Sequence, residues 1–164
     1  AQSRRCPGEG YVSQVTEGNM RRIPGLSIAI LLLGYGLIRV GVGGALLAQS
    51  MERIDFAELA DAVSEVREFM EARADRQIVP FSVPGYFVYI LAMGIVLATG
   101  AVGAIARRRW GHASLAVYLA LHAALFVNFR EINPKMLGLV LQAVLLLALV
   151  YLRPARVRDH AVSP

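Results

Sequence analysis

The sequence predicts an all-α protein: an integral membrane four-helix bundle with an extra amphipathic helix between the first and second spans. Three observations carry that prediction. Hydrophobic residues make up 56% of the 164 and charged residues only 18%, more apolar than a small soluble domain can hide. The charges are clustered, with none from Gln77 to Ala106, from Trp110 to Phe129 or from Met136 to Leu152, and Arg39 alone interrupts the run from Ile23 to Leu47. Each of these stretches meets or approaches the roughly 20 apolar residues a helix needs to cross about 30 Å of hydrocarbon.

Residues 1–22 read as a flexible polar tail closed by Arg21 and Arg22, with no apolar stretch resembling a cleavable signal peptide. The four-helix domain occupies 23–154. Its first span is expected over 25–48, with Pro24 in the first turn, where a missing N–H costs nothing. The segment that follows carries Ile54, Leu59, Val63, Val66 and Met70 at near-helical spacing, with Phe69 beside them. It predicts an amphipathic helix over 54–74, opened by Asp55 and Glu58 in the manner of a capping box. Its wet face is acidic, which favours packing on protein over lying on anionic lipid. Pro80 and Pro84 lead into a second span at 85–106, Arg107 to Arg109 end it, and spans at 112–128 and 135–152 follow. A polar, basic tail fills 155–164.

Orientation follows from the arginines. Arg4, Arg5, Arg21, Arg22, Arg107, Arg108, Arg109, Arg153, Arg156 and Arg158 fall on one side of this topology. The acidic segment and the turn from Arg130 to Lys135 fall on the other. The positive-inside rule then puts both termini in the cytoplasm and the amphipathic helix outside, in a multi-pass protein of the bacterial inner (plasma) membrane. The net charge of +5 is spread over these flanks and forms no single patch, so nucleic acid is not an expected partner.

Several chemistries are excluded on residues. Cys6 is the sole cysteine, which rules out an intrachain disulfide, a CxxC pair and a cysteine-rich zinc site. There is no HExxH, no glycine-rich phosphate loop and no nucleophile elbow. His122 is the one histidine deep in a span, so no histidine pair can hold a haem or a copper ion, and no metal site or catalytic residue is assigned. Every Asp and Glu falls outside the four spans, which argues against a proton-coupled transporter.

What remains is a layer of polar groups at membrane depth. Charge in hydrocarbon is costly, about 2.5 to 3.5 kcal/mol for a central arginine on insertion scales. Arg39 lies eight residues before Leu47, about 12 Å along a helix. His122 lies six before Asn128 and Gln142 seven after Lys135, close to the same depth. Tyr118 stands one turn from His122, Met93 lies in the layer and Tyr89 slightly above it. Arg39, His122, Gln142, Tyr118, Tyr89 and Met93 are therefore the candidate ligand-binding residues, around a small cavity roofed by the amphipathic helix. Gly36 and Gly43 flank Arg39, clearing space around it and allowing close helix approach. Structural readings stand beside this one: Arg39 snorkelling to the headgroups, or paired with Glu131 or Glu52.

On these residues the chain resembles the DoxX-like group of small four-helix bacterial membrane proteins. Arg39 to Gly43 (RVGVG) is similar to the Arg-x-x-x-Gly of that group's first helix. AMGIVLATGAVGAIARRRWGHA is similar to its glycine-containing second helix and arginine turn, and the end at Leu152-Arg153-Pro154 matches in position. The resemblance spans about 26–154 apart from an insertion at 51–82. It departs where the group often has a glutamate early in the second helix and this chain reads YFVYILAMG. It implies the architecture, and links to quinone-side electron transfer, oxidative-stress complexes or accessory roles in membrane assemblies.

Two functions are expected from this reading. One is a non-catalytic accessory or assembly subunit of a larger membrane complex, partnered by the lipid bilayer and by a membrane protein or a second copy of itself. The other is a binding site for a quinone or lipid in the polar layer. The sequence fixes no cofactor beyond these two candidate ligands.

Overall fold

The structure, a computed structural model, describes residues 9–130 and 136–152, with side-chain environments from Ile23 onward. Every regular element among them is helical: α1 (Glu9–Ser50), α2 (Ala57–Glu71), α3 (Val83–Ile105), α4 (Arg109–Phe129) and α5 (Met136–Leu152). Three stretches are long and apolar enough to cross a membrane, namely Ile23–Ser50, α3 and α4. The apolar α5 is shorter at 17 residues.

Helix α1 begins at Glu9, well before the expected start. Pro24 is consequently inside the helix and withholds one N–H from its ladder. Once a helix is nucleated each further residue adds a hydrogen bond at little cost, so the polar segment before Pro24 continues the apolar one. The expected tail is thus helical from Glu9; residues 1–8 and 153–164 lie outside the described residues.

α1 packs most extensively against α3, α3 next against α4, and α5 lies against both α1 and α4. The core between them holds Ala29 and Leu32 of α1, Met93, Leu97, Ala101 and Ala104 of α3, Leu115 and Tyr118 of α4, and Leu149 of α5. Glycine governs the closest crossing. A Cβ on Gly36 would sit 2.8 Å from the Ala98 nitrogen, and one on Gly94 2.9 Å from the Val40 nitrogen. Gly43 meets the Leu91 backbone in the same way. These glycines therefore admit the neighbouring backbone. Of the two roles expected of Gly36 and Gly43, close helix approach is the one these contacts serve; the atoms nearest their Cβ positions belong to α3 and not to the guanidinium.

The turn between α3 and α4 is tight. Arg107 adopts φ 56°, the Arg107 N–H bonds the Ala104 carbonyl, and the Arg108 N–H bonds the Gly103 carbonyl. This is a Schellman closure with arginine where glycine is usual. Gly103 and Gly111 lie backbone to backbone just inside it.

The connection between α1 and α3 is fastened by neutral amides. Helix α2 starts later than expected, and Phe56, not Asp55, occupies the cap position with no side-chain cap of its own. The capping box therefore does not form. Gln49 Oε1 accepts from the Phe56 N–H instead, at 3.0 Å. Val63 and Met70 are buried, as the apolar stripe predicts, while Glu58, Asp61, Glu65, Glu68 and Glu71 are exposed. Beyond α2, Gln77 donates to the Met70 carbonyl and accepts from the Phe81 N–H. Asn128, buried at the end of α4, accepts from the Val79 N–H at 2.7 Å and donates to the Val79 carbonyl at 3.1 Å. Ser82 then caps α3 by accepting from Gly85.

Two outcomes follow from these contacts. Gly36→Leu, which forces side-chain volume into the Ala98 backbone, lowers stability by about 1 to 3 kcal/mol, whereas Gly34→Leu, with nothing within 4 Å of its Cβ, leaves it nearly unchanged; thermal unfolding in detergent followed by circular dichroism separates the two. Asn128→Ala frees the Val79 amide, so hydrogen exchange there accelerates more than at Leu97 in the core of α3.

Candidate functional site

The polar layer condenses at the end of the bundle that carries α2. α1 runs on from Arg39 to Ser50, which puts the guanidinium about 16 Å inside that end of the helix. Arg39 Nη1 donates to the Tyr118 hydroxyl at 2.8 Å. The Tyr118 hydroxyl donates to Gln142 Oε1 at 3.2 Å, and His122 Nδ1 lies 2.7 Å from the same oxygen. Three helices thus contribute to one continuous chain of hydrogen bonds.

Its polarity follows from its first member. A guanidinium can only donate, so the Tyr118 oxygen accepts and its proton turns to Gln142. An amide oxygen can only accept, so His122 carries its proton on Nδ1. In the neutral tautomer with that proton, the lone pair is on Nε2. The Gln142 NH2 group has no partner among the described residues, and Arg39 retains further N–H donors.

Arg39, His122 and Gln142 line a half-open cavity of about 320 Å³, within the roughly 300 to 1,000 Å³ of small-molecule sites. Its other walls are largely aromatic: Tyr35 on α1, Phe69 on α2, Tyr86 on α3, and Phe126 and Phe129 on α4. The Arg39 guanidinium lies 5.5 Å from the Tyr35 ring centroid and 5.9 Å from that of Tyr118, within the ~6 Å reach of a cation–π attraction. The His122 ring stacks at 5.5 Å and 31° on Phe126. No carboxylate pairs with Arg39 among the described residues. Glu52 is exposed in the turn after α1, and Glu131 lies outside the described residues. The charge is held by one neutral hydroxyl and two ring faces, with open volume beside it.

Of the expected residues, Arg39, Tyr118, His122 and Gln142 come together. Tyr118 is buried behind the cavity and joins its two charged or polar sides. Two others do not join them. Tyr89 donates to the Leu121 carbonyl at 2.7 Å and packs edge-on against Phe81, tying α3 to α4. Met93 is fully buried in the apolar core, away from the cavity wall. Sequence reasoning missed the aromatic walls, although helical spacing points to part of them. Tyr35 stands four residues before Arg39 and Phe126 four after His122, each on the face of its polar neighbour. Phe69 does roof the cavity. Its ring meets Phe129 at 5.5 Å, and the Arg73 guanidinium covers it at 3.9 Å.

The chain matches no family model, and no curated protein or solved structure matches it. The reading of the site therefore rests on its geometry.

Tyr118→Phe removes the neutral hydroxyl that Arg39 donates to and one of the two donors to Gln142. It destabilises the fold by about 1 to 3 kcal/mol, more than Tyr89→Phe, because the Leu121 carbonyl keeps its place in the α4 ladder; chemical unfolding of both variants in detergent makes the comparison.

Proposed function

We propose that this is a membrane protein that binds the oxygen-bearing head of an amphipathic small molecule, a quinone or a lipid, in the cavity of Arg39, His122 and Gln142. The observation that carries the reading is a guanidinium without a carboxylate partner among the described residues, facing an aromatic-walled cavity from within an apolar helix. A charge set within an apolar span is costly, and an oxygen acceptor from a ligand relieves that cost. The Arg39 and Gln142 N–H groups suit carbonyl or phosphate oxygens, and a neutral His122 offers Nε2 to a hydroxyl. The aromatic walls suit a flat ring or the apolar neck of a headgroup.

In this proposal α1, α3, α4 and α5 all cross the bacterial inner membrane, with both termini cytoplasmic and α2 on the outer face. The similarity of Arg39 to Gly43 to the DoxX-like first-helix motif supports a setting near quinones. A second reading, an accessory or assembly subunit, is favoured by α5. Leu149 is its single buried residue, while Leu137, Val140, Leu141, Val144 and Leu147 are exposed, a face suited to a second polypeptide.

The test is native mass spectrometry of the protein extracted in mild detergent, with bound small molecules identified. The wild type carries a quinone or a specific lipid, and Arg39→Leu and His122→Ala each reduce its occupancy about tenfold, the equivalent of one strong hydrogen bond to a charged group. Occupancy unchanged in both variants sinks the ligand reading. Release with another polypeptide at fixed stoichiometry establishes the accessory reading.

A further inference from the structure

The polar cavity shares lining residues with a second, wholly different space. Between α1 and α5 runs a half-open groove of about 260 Å³ lined by Ile28, Leu31, Leu32, Leu141 and Leu145. Tyr35, Gly138 and Gln142 line both this groove and the polar cavity. One space is polar and aromatic, the other almost purely aliphatic, and three residues form their common border.

Gly138 is the least obstructed point on that border. A Cβ built there meets nothing within 4 Å, unlike Gly36, Gly94, Gly103 and Gly111, which press on neighbouring helices. Its missing side chain therefore serves no close helix contact among the described residues; it leaves an opening. Gln142, one turn further along α5, holds the head end of the opening through Tyr118 and His122. The groove faces sideways, between two helices whose outer surfaces are apolar: Leu31 is 72% exposed and Leu141 58%.

We propose that the ligand is a long-tailed amphiphile whose apolar chain leaves the head cavity past Gly138 and lies in the groove between α1 and α5, so that it enters from the side of the bundle, not from the α2 end. The inference rests on the head-binding reading above and adds the tail, its path and the direction of entry. A prenylated quinone and a phospholipid share this chemistry, an acceptor-bearing head on a long aliphatic chain. The hydrocarbon around the bundle is as apolar as the groove, so the tail gains little affinity there. Its position, more than its affinity, is the quantity to measure.

The experiment is photo-crosslinking of the whole protein in bilayer nanodiscs with two probes, a quinone and a phosphatidic acid, each carrying a diazirine midway along its chain. Labelled peptides are mapped by mass spectrometry, with and without an excess of the matching tail-less head (an unprenylated quinone or glycerol phosphate). Label competed by the head falls on residues 28–35 of α1 and 138–145 of α5, and the probe that gives it identifies the source. Gly138→Leu closes the border and lowers this competed label about tenfold, as expected for overfilling an occupied passage. Gly138→Ala keeps most of it, and the thermal unfolding of both variants stays at the wild-type value because the added atoms enter open space. Head-competed label on Phe69 or elsewhere at the α2 end overturns the lateral path while leaving the head site standing. Label that no head competes, in either probe, means annular lipid only and overturns both readings. Should Gly138→Leu unfold, the wild-type map alone decides between these outcomes.

Discussion

A guanidinium set well inside an apolar helix imposes a constraint on everything around it. The charge of Arg39 has to be met there by groups from the helices around it. α4 supplies the Tyr118 hydroxyl, α5 the Gln142 oxygen behind it, and α1 itself the Tyr35 ring. None of these is an anion. A carboxylate partner would neutralise the charge permanently, whereas a hydroxyl and two ring faces hold it in place and leave it able to attract more. The direction of each hydrogen bond follows from that choice, down to the Nδ1–H that His122 turns to Gln142. Among the described residues the fold leaves this charge without an anionic partner.

The layer is reachable because α1 and α3 lie backbone to backbone. Gly36 and Gly94 face each other's helices across the crossing, which draws α3 in and leaves the long side chain of Arg39 directed to the α4 and α5 side. The cavity above it is closed by aromatic contacts passing from Tyr86 through Phe129 to Phe69. The segment that carries Phe69 is held by Gln49, Gln77 and Asn128. These neutral groups bind backbone atoms, and a charged group on the roof, Arg73, covers the Phe69 ring and donates to the Phe69 carbonyl.

Much of this was legible in the residues, and for a definite reason. Arg39, His122 and Gln142 stand out because polar atoms in apolar runs are anomalous, and helical rise alone puts them at one depth. The apolar spans are legible in the same way, from the absence of charge. The aromatic walls were harder, since a phenylalanine lining a cavity and one filling a core look alike in sequence; Tyr86 reads as an interfacial aromatic until α2 is placed over it. Glycine has the opposite difficulty. Gly36 announces a close approach, but whether it admits a backbone or a side chain depends on the helix opposite. Tyr89 and Met93 shared the expected depth and not the expected direction, which rotation of α3 by its glycine contacts decides. The start of α1 and the failed capping box at Asp55 concern helix ends, where a neighbouring amide such as Gln49 outweighs the local pattern.

The turn at Arg107 has a consequence for how the chain is assembled. With Gly103 and Gly111 in backbone contact and the Arg107 and Arg108 amides folded back onto α3, no slack separates the two helices. They meet the other helices as one object, a hairpin with Arg107, Arg108 and Arg109 at its tip. α1 packs on the α3 side of that hairpin and α5 on the α4 side, so the rest of the fold is arranged against a unit that holds its own spacing.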